Sequence, residues 1–399
     1  MKKEKTKKQN KQNTEAEFSE NLIPALFFGF KITQPVAVTQ EEIKLAKSLY
    51  KEKNFLHNNL FPIEELIANI KGFKNRDRDS IGPQLLINQG VASGPHNKHS
   101  AKTGEEIINL HIIGIENSIA EALAIKTTEA ILNSNNYKNV FFKINDLGNK
   151  SALNRYNKEG TAYFRKYISA LNADDRQLFK QSLYHLISNS KNLEDAVFES
   201  APKTMDFLGD ETRKNFVELL EYLEFLETPH EIDGFLLGDQ NYSSDTVFKA
   251  IDENTYKTVA YGTRYDLLSR KIGIRKDVPA LSVMIRIKKR KTVSHKKIEK
   301  LKNPNFFLIQ VGHLAKIKSL KIIDELRKEN IAVKHTIYRD KISSQILFSK
   351  KYPHDYDIII GHRESIENCA IVRDSQGRSQ KSIKMDVLAQ YLKSLKKQS

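Results

Sequence analysis

The run Asn241-Tyr242-Ser243-Ser244-Asp245-Thr246-Val247-Phe248 leads from a polar turn into an apolar strand, and two further pieces follow it in order. They are Tyr261-Gly262-Thr263-Arg264-Tyr265-Asp266-Leu267-Leu268 and Pro279-Ala280-Leu281-Ser282-Val283-Met284-Ile285-Arg286-Ile287. The segments His230 to Leu237, Thr246 to Asp252, Tyr256 to Gly262 and Val278 to Ile287 are rich in β-branched and aromatic residues and are separated by polar turns. That pattern predicts antiparallel strands.

Upstream, Ala25 to Pro35 reads as a short buried strand ending at a proline, and Glu41 to Tyr50 and Ile63 to Ile70 as helices. Gly72 to Ser80 is a charged loop. Pro83 to Val91 and Glu106 to Ile115 read as strands flanking a polar connection, Gly94 to Gly104. Asn117 to Leu132 has helical period, Asn139 to Ile144 reads as a strand, and 149–227 is mostly helical. In that helical stretch Phe216, Leu219, Leu220, Leu223 and Leu226 share one face. Downstream, Lys288-Lys289-Arg290-Lys291 and Lys296-Lys297 mark a basic linker that closes at Asn303-Pro304. Beyond it come strand Phe306 to Val311, helix Leu314 to Lys328, strand Ile331 to Tyr338 and helix Ile342 to Lys351. Strands Asp355 to Ile360 and Asn368 to Asp374 and helix Met385 to Leu395 follow. Alternation of this kind predicts a parallel or mixed sheet with helices packed against it.

The 399 residues suffice for two or three domains with a substantial core. A formal net charge of +16 points to a polyanionic partner, with a solubilising surface as the plainer explanation. One cysteine, Cys369, excludes an intramolecular disulfide and fits a reducing cytosol. No apolar run approaches the roughly 20 residues that span a bilayer. Met1 to Asn13 is lysine-rich and leads into polar sequence, so it reads as a disordered tail in a cytoplasmic protein.

Four stretches in order resemble histidyl-tRNA synthetase, a class II aminoacyl-tRNA synthetase. Lys143-Ile144-Asn145-Asp146-Leu147-Gly148 is similar to a strand-ending Asn-x-Leu-Gly signature. Ala201-Pro202-Lys203-Thr204-Met205-Asp206-Phe207-Leu208 and the helix after it resemble the insertion that precedes the histidine loop. Tyr242 to Leu268 is the third stretch and the final domain the fourth. No one motif is specific, and the colinear order carries the resemblance. It implies an α+β architecture with a final α/β unit: a class II antiparallel sheet with helices, a helical insertion, and an anticodon-binding-like domain. The corresponding boundaries are a tail at 1–20, a catalytic-like domain at 21–287 with its insertion near 149–227, a linker at 288–303 and an anticodon-binding-like domain at 304–399.

Adenylate formation needs cations positioned on the phosphates of ATP. The slot of the family's first ATP-gripping arginine falls near Gly94 and that of the accompanying glutamate near His96, within a residue or two. The Gln and Glu that the next strand presents to substrate fall on Ile107 and His111. The catalytic arginine of the histidine loop falls on Gly238, where only Tyr242 keeps the family's pattern. The arginine closing the last strand falls on Lys289, which keeps charge without the forked donor set. Tyr242, Arg264, Tyr265 and Asp266 are the expected remnants of a substrate pocket. These replacements imply loss of aminoacylation.

The resemblance also implies that tRNA passes the linker, so Lys288, Lys289, Arg290, Lys291, Lys296 and Lys297, with Tyr338 and Arg339 beyond, are candidate RNA contacts. The expected partners are tRNA or another structured RNA and a second copy of the chain, with no membrane. No cofactor is expected; ATP and Mg²⁺ would serve only an active enzyme. His96-x-x-His99 has neither a cysteine nor a third ligand, and Asp233, Asp239 and Asp245 read as solvated turn residues, so no metal is expected. Two alternatives stand beside the silent, RNA-binding relative. One is an active, divergent histidine–tRNA ligase using Lys98, Lys102 or Lys289. The other is a synthetase-like regulatory subunit of ATP phosphoribosyltransferase, a family that usually lacks the final domain.

Overall fold

A computed structural model describes residues 18–49, 61–74, 82–90, 104–293, 298–299, 301 and 303–396. Gly94, His96, Lys98, His99, Lys102, Lys296 and Lys297, together with Met1 to Asn13, lie outside the described residues.

The strands are β1 (Phe18–Ser19), β2 (Lys31–Ile32), β3 (Gln84–Gly90), β4 (Glu105–Ile113), β5 (Val140–Asp146), β6 (His230–Ile232), β7 (Ser244–Asp252), β8 (Lys257–Arg264), β9 (Ala280–Lys288) and β10 (Thr292–Val293). The last third adds β11 (Phe306–Gln310), β12 (Lys334–His335), β13 (Tyr356–Ile360), β14 (Cys369–Asp374) and β15 (Gln380–Lys384). Before the insertion the helices are α1 (Ile23–Phe27), α2 (Gln40–Leu49), α3 (Ile63–Lys74) and α4 (Ile119–Ser134). The insertion carries α5 (Lys150–Lys166), α6 (Ala173–Gln181), α7 (Leu183–Asn189), α8 (Ala196–Glu199) and α9 (Asp210–Phe225). After it come α10 (Leu268–Lys271), α11 (His313–Lys328), α12 (Ile342–Ser349), α13 (His362–Ile366) and α14 (Met385–Lys396).

An eight-stranded sheet in the order β2-β3-β4-β9-β8-β7-β5-β6 organises the first part. Its six central strands are antiparallel; only the edges, β2 on β3 and β6 on β5, pair in parallel. Side chains alternate across the sheet. Ile108, Leu110, Ile112, Val283, Ile285 and Ile287 therefore pack on one side, beneath α4 and α9, in the main core. α4 is covered all round and buries residues on every face, as a helix between a sheet and a further layer must. The insertion has its own cluster around Tyr156, Phe164, Leu183 and Phe198. Asn149 starts α5 by accepting hydrogen bonds from the backbone N–H groups of Ser151 (2.9 Å) and Ala152 (3.1 Å).

The second sheet, β12-β11-β13-β14-β15, is mixed: β11 runs parallel to both neighbours, and β13, β14 and β15 are antiparallel. This C-terminal domain shares the main core, which continues through Leu22, Ala25 and Phe28 to Phe306, Leu320 and Leu326. Polar contacts border the joint: Lys126 pairs with Asp324 (3.7 Å), and the His313 ring nitrogens lie 3.1 Å from Glu218 and 3.3 Å from Glu221.

Several expectations change. Residues 25–35 are not one strand: Pro24 sits in the first turn of α1, a position that suits its missing N–H, and a left-handed Gly29 (φ 84°) turns the chain into β2. His230 to Leu237 is extended for three residues only, and β6 pairs in parallel; Asp233 then accepts from the N–H of Phe235 (3.1 Å) and turns the chain. Ile331 to Tyr338 keeps only two strand residues, because the Gln310 carboxamide takes the carbonyls of Ile337 (3.3 Å) and Arg339 (2.9 Å). β15 is a polar edge strand with no hydropathy signal to mark it. The tail does not extend to residue 20. Phe18–Ser19 pair with Thr292–Val293 inside the expected linker, and Ser19 (2.8 Å) and Asn21 (3.0 Å) donate to buried Glu106.

Candidate functional site

The side of the large sheet opposite α4 carries the polar residues. One row across it runs Asn88, Asn109, Met284, Tyr261, Lys249 and Lys143, strand to strand. The next runs Leu86, His111, Ser282, Thr263, Val247 and Asn145. Ile107 and His111 share this face, as alternate residues of β4 must.

His111 is buried, and burial pulls its pKa down to about 4. The ring is therefore neutral near pH 7. Its Nδ1 lies 2.7 Å from Ser282 Oγ and 3.4 Å from Asn69 Nδ2, and Tyr265 Oη lies 2.9 Å from the same serine oxygen. Asn69 comes from α3, whose Ile63, Leu66, Ile67 and Ile70 pack with Ile113, Tyr242 and Tyr265 in a third apolar cluster. The centre of the face is thus uncharged; His111, Ser282 and Tyr265 bond to one another, whereas Asn88 Oδ1, Asn109 Oδ1 and Tyr261 Oη are buried with no hydrogen-bond partner among the described residues. Cations stand at its margins: Arg286 faces Ile107 from β9, while Lys143 (2.6 Å to Glu231) and Lys249 (3.6 Å to Asp233) occupy the far strands.

Arg264 stands one residue out of phase with this face. It pairs with Leu281 and lies buried on the α4 side, with Nε 2.5 Å from Glu121 Oε1 and Nη1 3.2 Å from Asp266. Asp266 also accepts from the N–H of Ala280 (2.8 Å), and burial pushes its pKa up to about 7. The four expected pocket residues thus divide. Tyr242 and Tyr265 join the cluster under α3, whereas Arg264 is buried in an ion pair with Glu121, with the half-buried Asp266 beside it.

Gly238 is required by space, since a Cβ there would stand 2.3 Å from Ser243 Cβ. The following turn is closed by Ser243 Oγ accepting from the N–H of Asp239 (2.8 Å). Among the described residues no group of three His, Cys, Asp or Glu side chains is arranged to hold a metal ion. No helix of the described residues is long and apolar enough to cross a membrane.

The basic strap follows β9. Lys288 and Arg286 share the polar face, and Lys289 lies in the turn beyond, its N–H bonded to the carbonyl of Gly104 (3.0 Å). Lys288, Lys289 and Lys291 are exposed. Arg290 is tied down: Nη1 donates to the Ser134 carbonyl (2.8 Å), and Nη2 lies 3.2 Å from Glu20. Tyr338 is half-buried against the main core. The Arg339 guanidinium sits 5.7 Å from its ring centre and 5.3 Å from that of Phe348. Sequence reading missed the neighbouring layer in which Phe348 packs on Tyr352 (4.8 Å) and Lys334 covers Tyr352 (4.6 Å), because α12 and β12 meet only in three dimensions.

No family model matches the chain. It is 25% identical over 293 residues to the histidine–tRNA ligase of Vesicomyosocius okutanii, covering 72% of this chain and 69% of that one. To the enzyme of the same name from Aquifex aeolicus it is 26% identical over 288 residues, covering 70% and 69%. The apo histidyl-tRNA synthetase of S. aureus is a structural neighbour at 17% identity and TM-score 0.48, with 93% of this chain and 94% of that one covered. With sequence matches of that extent lying over an antiparallel sheet, a helical insertion and a final mixed-sheet domain, the chain is a histidyl-tRNA synthetase-like member of class II.

Proposed function

We propose that this protein no longer makes histidyl-adenylate and acts by binding tRNA or another structured RNA. The observation that supports this most is the neutral centre of the polar sheet face. Phosphoryl charge in the transition state is stabilised by positioned cations. In the middle of the two rows Asn88, Asn109, Met284, Tyr261, His111, Ser282 and Thr263 offer none, burial keeps His111 uncharged, and the rows' cations, Lys249 and Lys143, stand on the far strands beside Asp233 and Glu231. Arg264, the arginine of the matching Arg-Tyr-Asp, is held by Glu121 and Asp266 on the other side of the sheet. The described residues therefore do not fit ATP and Mg²⁺ as the family holds them. Support for RNA comes from the exposed lysines of the strap and the net charge of +16, a surface suited to phosphate neutralisation.

The second reading is an active histidine–tRNA ligase, favoured by Arg286 and Lys288, which leave a cationic margin on the same face. ATP–pyrophosphate exchange, run with each amino acid in turn beside filter binding of bulk tRNA, separates the two. No exchange together with salt-sensitive tRNA binding is the expected result. Histidine-dependent exchange would overturn the proposal and make Arg286 and Lys288 the first residues to replace.

A further inference from the structure

A cleft of about 780 Å³ opens where α1, the end of the linker and the C-terminal domain meet. α1 supplies an apolar wall of Ile23, Pro24 and Phe27. Asn303 and Asn330 bring carboxamides, each able to donate and to accept. Arg290, Arg327 and Lys396 also line it, and Arg327 shares its carboxylate, Asp324, with Lys126 and Lys328. Arg290 faces Glu20 (3.2 Å) and caps the Ser134 carbonyl, and Arg327 lies 2.8 Å from Asp324. Two helices, α4 and α11, end against this wall at Ser134 and just before Asn330, and each helix terminus adds roughly half a negative charge. The cleft therefore joins an apolar wall and carboxamides to lining cations, and further cations follow outside it on Lys288, Lys289 and Lys291 beside Arg290.

A free anion alone leaves the apolar wall and the carboxamides unused. A flat group with donors and acceptors along its edge, joined to an anion, matches both the wall and the cations. Single-stranded RNA presents that combination: an unstacked base packs its face on apolar side chains and offers its edge to polar ones, while the backbone follows cations. The cleft volume is typical of small-ligand sites, which favour domain junctions. We propose that this cleft takes one unpaired nucleobase of the bound RNA, with its flanking phosphates on the strap; the inference rests on the RNA-binding reading.

The test is filter binding of tRNA across a salt series for the wild type, Asn303→Ala and the cleft-filling Ala332→Phe, each checked for folding by thermal melting. Removing the base from its cleft is expected to weaken binding at least about fivefold in both variants while leaving the slope of log K against log salt unchanged, because every phosphate keeps its cation. An RNA bearing 4-thiouridine in unpaired positions is expected to cross-link to the wild-type protein at α1 or at residues 301–305. If wild-type binding is intact and both folded variants match it, the inference falls and the RNA reading stands. A weaker but also shallower salt dependence would mark a phosphate groove and overturn the base site. No salt-sensitive binding by the wild type would remove the RNA reading itself, and this inference with it.

Discussion

Arg264 Nε lies 2.5 Å from Glu121 Oε1, and both side chains are almost fully removed from solvent. Arg264 closes the strand that carries the Arg-Tyr-Asp motif, and Glu121 belongs to the helix beneath the sheet. Three further carboxylates, Asp146, Asp245 and Asp266, act electrostatically on this pair or on each other. The arginine thus organises a buried acidic group, a structural task independent of any chemistry on the opposite face.

Removing one partner of a buried ion pair leaves the other uncompensated, which costs about 3–5 kcal/mol. Arg264→Met and Glu121→Leu are each expected to destabilise by that order in urea unfolding. The double variant is expected to lose clearly less than the sum, since two apolar groups replace the pair. Additive losses would show that the two residues do not interact.

His111 and His335 both have pKa values pulled down to about 4 by burial, against about 6.5 when unfolded. As pH falls through 6.5 the unfolded chain takes up protons that the folded chain refuses until about 4, so stability falls across that interval. Asp266 acts with the opposite sign. Its folded pKa of about 7 exceeds the unfolded value, so its contribution is full below about 4 and is lost as pH rises toward 7. His111→Gln should flatten the acid-side loss, and Asp266→Asn the loss toward neutrality, in unfolding free energies measured from pH 4 to 7.5.

The strap separates charge from architecture. Replacing Lys288, Lys289 and Lys291 together by alanine should weaken tRNA binding with little change in melting temperature. The salt slope should fall by as much as about 0.7–0.9 for each phosphate left without its lysine. Arg290→Ala should differ, because it removes the bonds to Glu20 and the Ser134 carbonyl. Its signature is faster protease cleavage near 288–293.

Glu106 accepts from Ser19, Asn21 and Gln89 at 2.8–3.0 Å, and among the described residues it has no cationic partner. Glu106→Ala removes the acceptor of the buried Ser19 and Asn21 donors, at about 1–3 kcal/mol each at most. Hydrogen exchange should rise in β1 and β10 first. Unchanged protection there would disprove the idea that Glu106 anchors the N-terminal segment.

Much of this protein is legible in its residues alone. The β-branched and aromatic content of Thr246 to Asp252 and Val278 to Ile287 predicts paired strands, and the order of the four family-like stretches predicts the architecture. Both depend on short-range pattern, which sequence records directly. Which way a strand faces and what its residues meet is another matter. A shift of one residue puts Arg264 on the α4 side while Thr263 and Tyr265 turn toward the polar one, and only the sheet register decides that. Neutrality of His111 follows from burial under α3, 42 residues away in sequence from Asn69 to His111. The strap likewise reads as one basic run, yet Glu20 and Ser134, both distant in the chain, bind Arg290 and leave its lysine neighbours to solvent. Composition supplies the charges, and long-range packing determines which of them remain available.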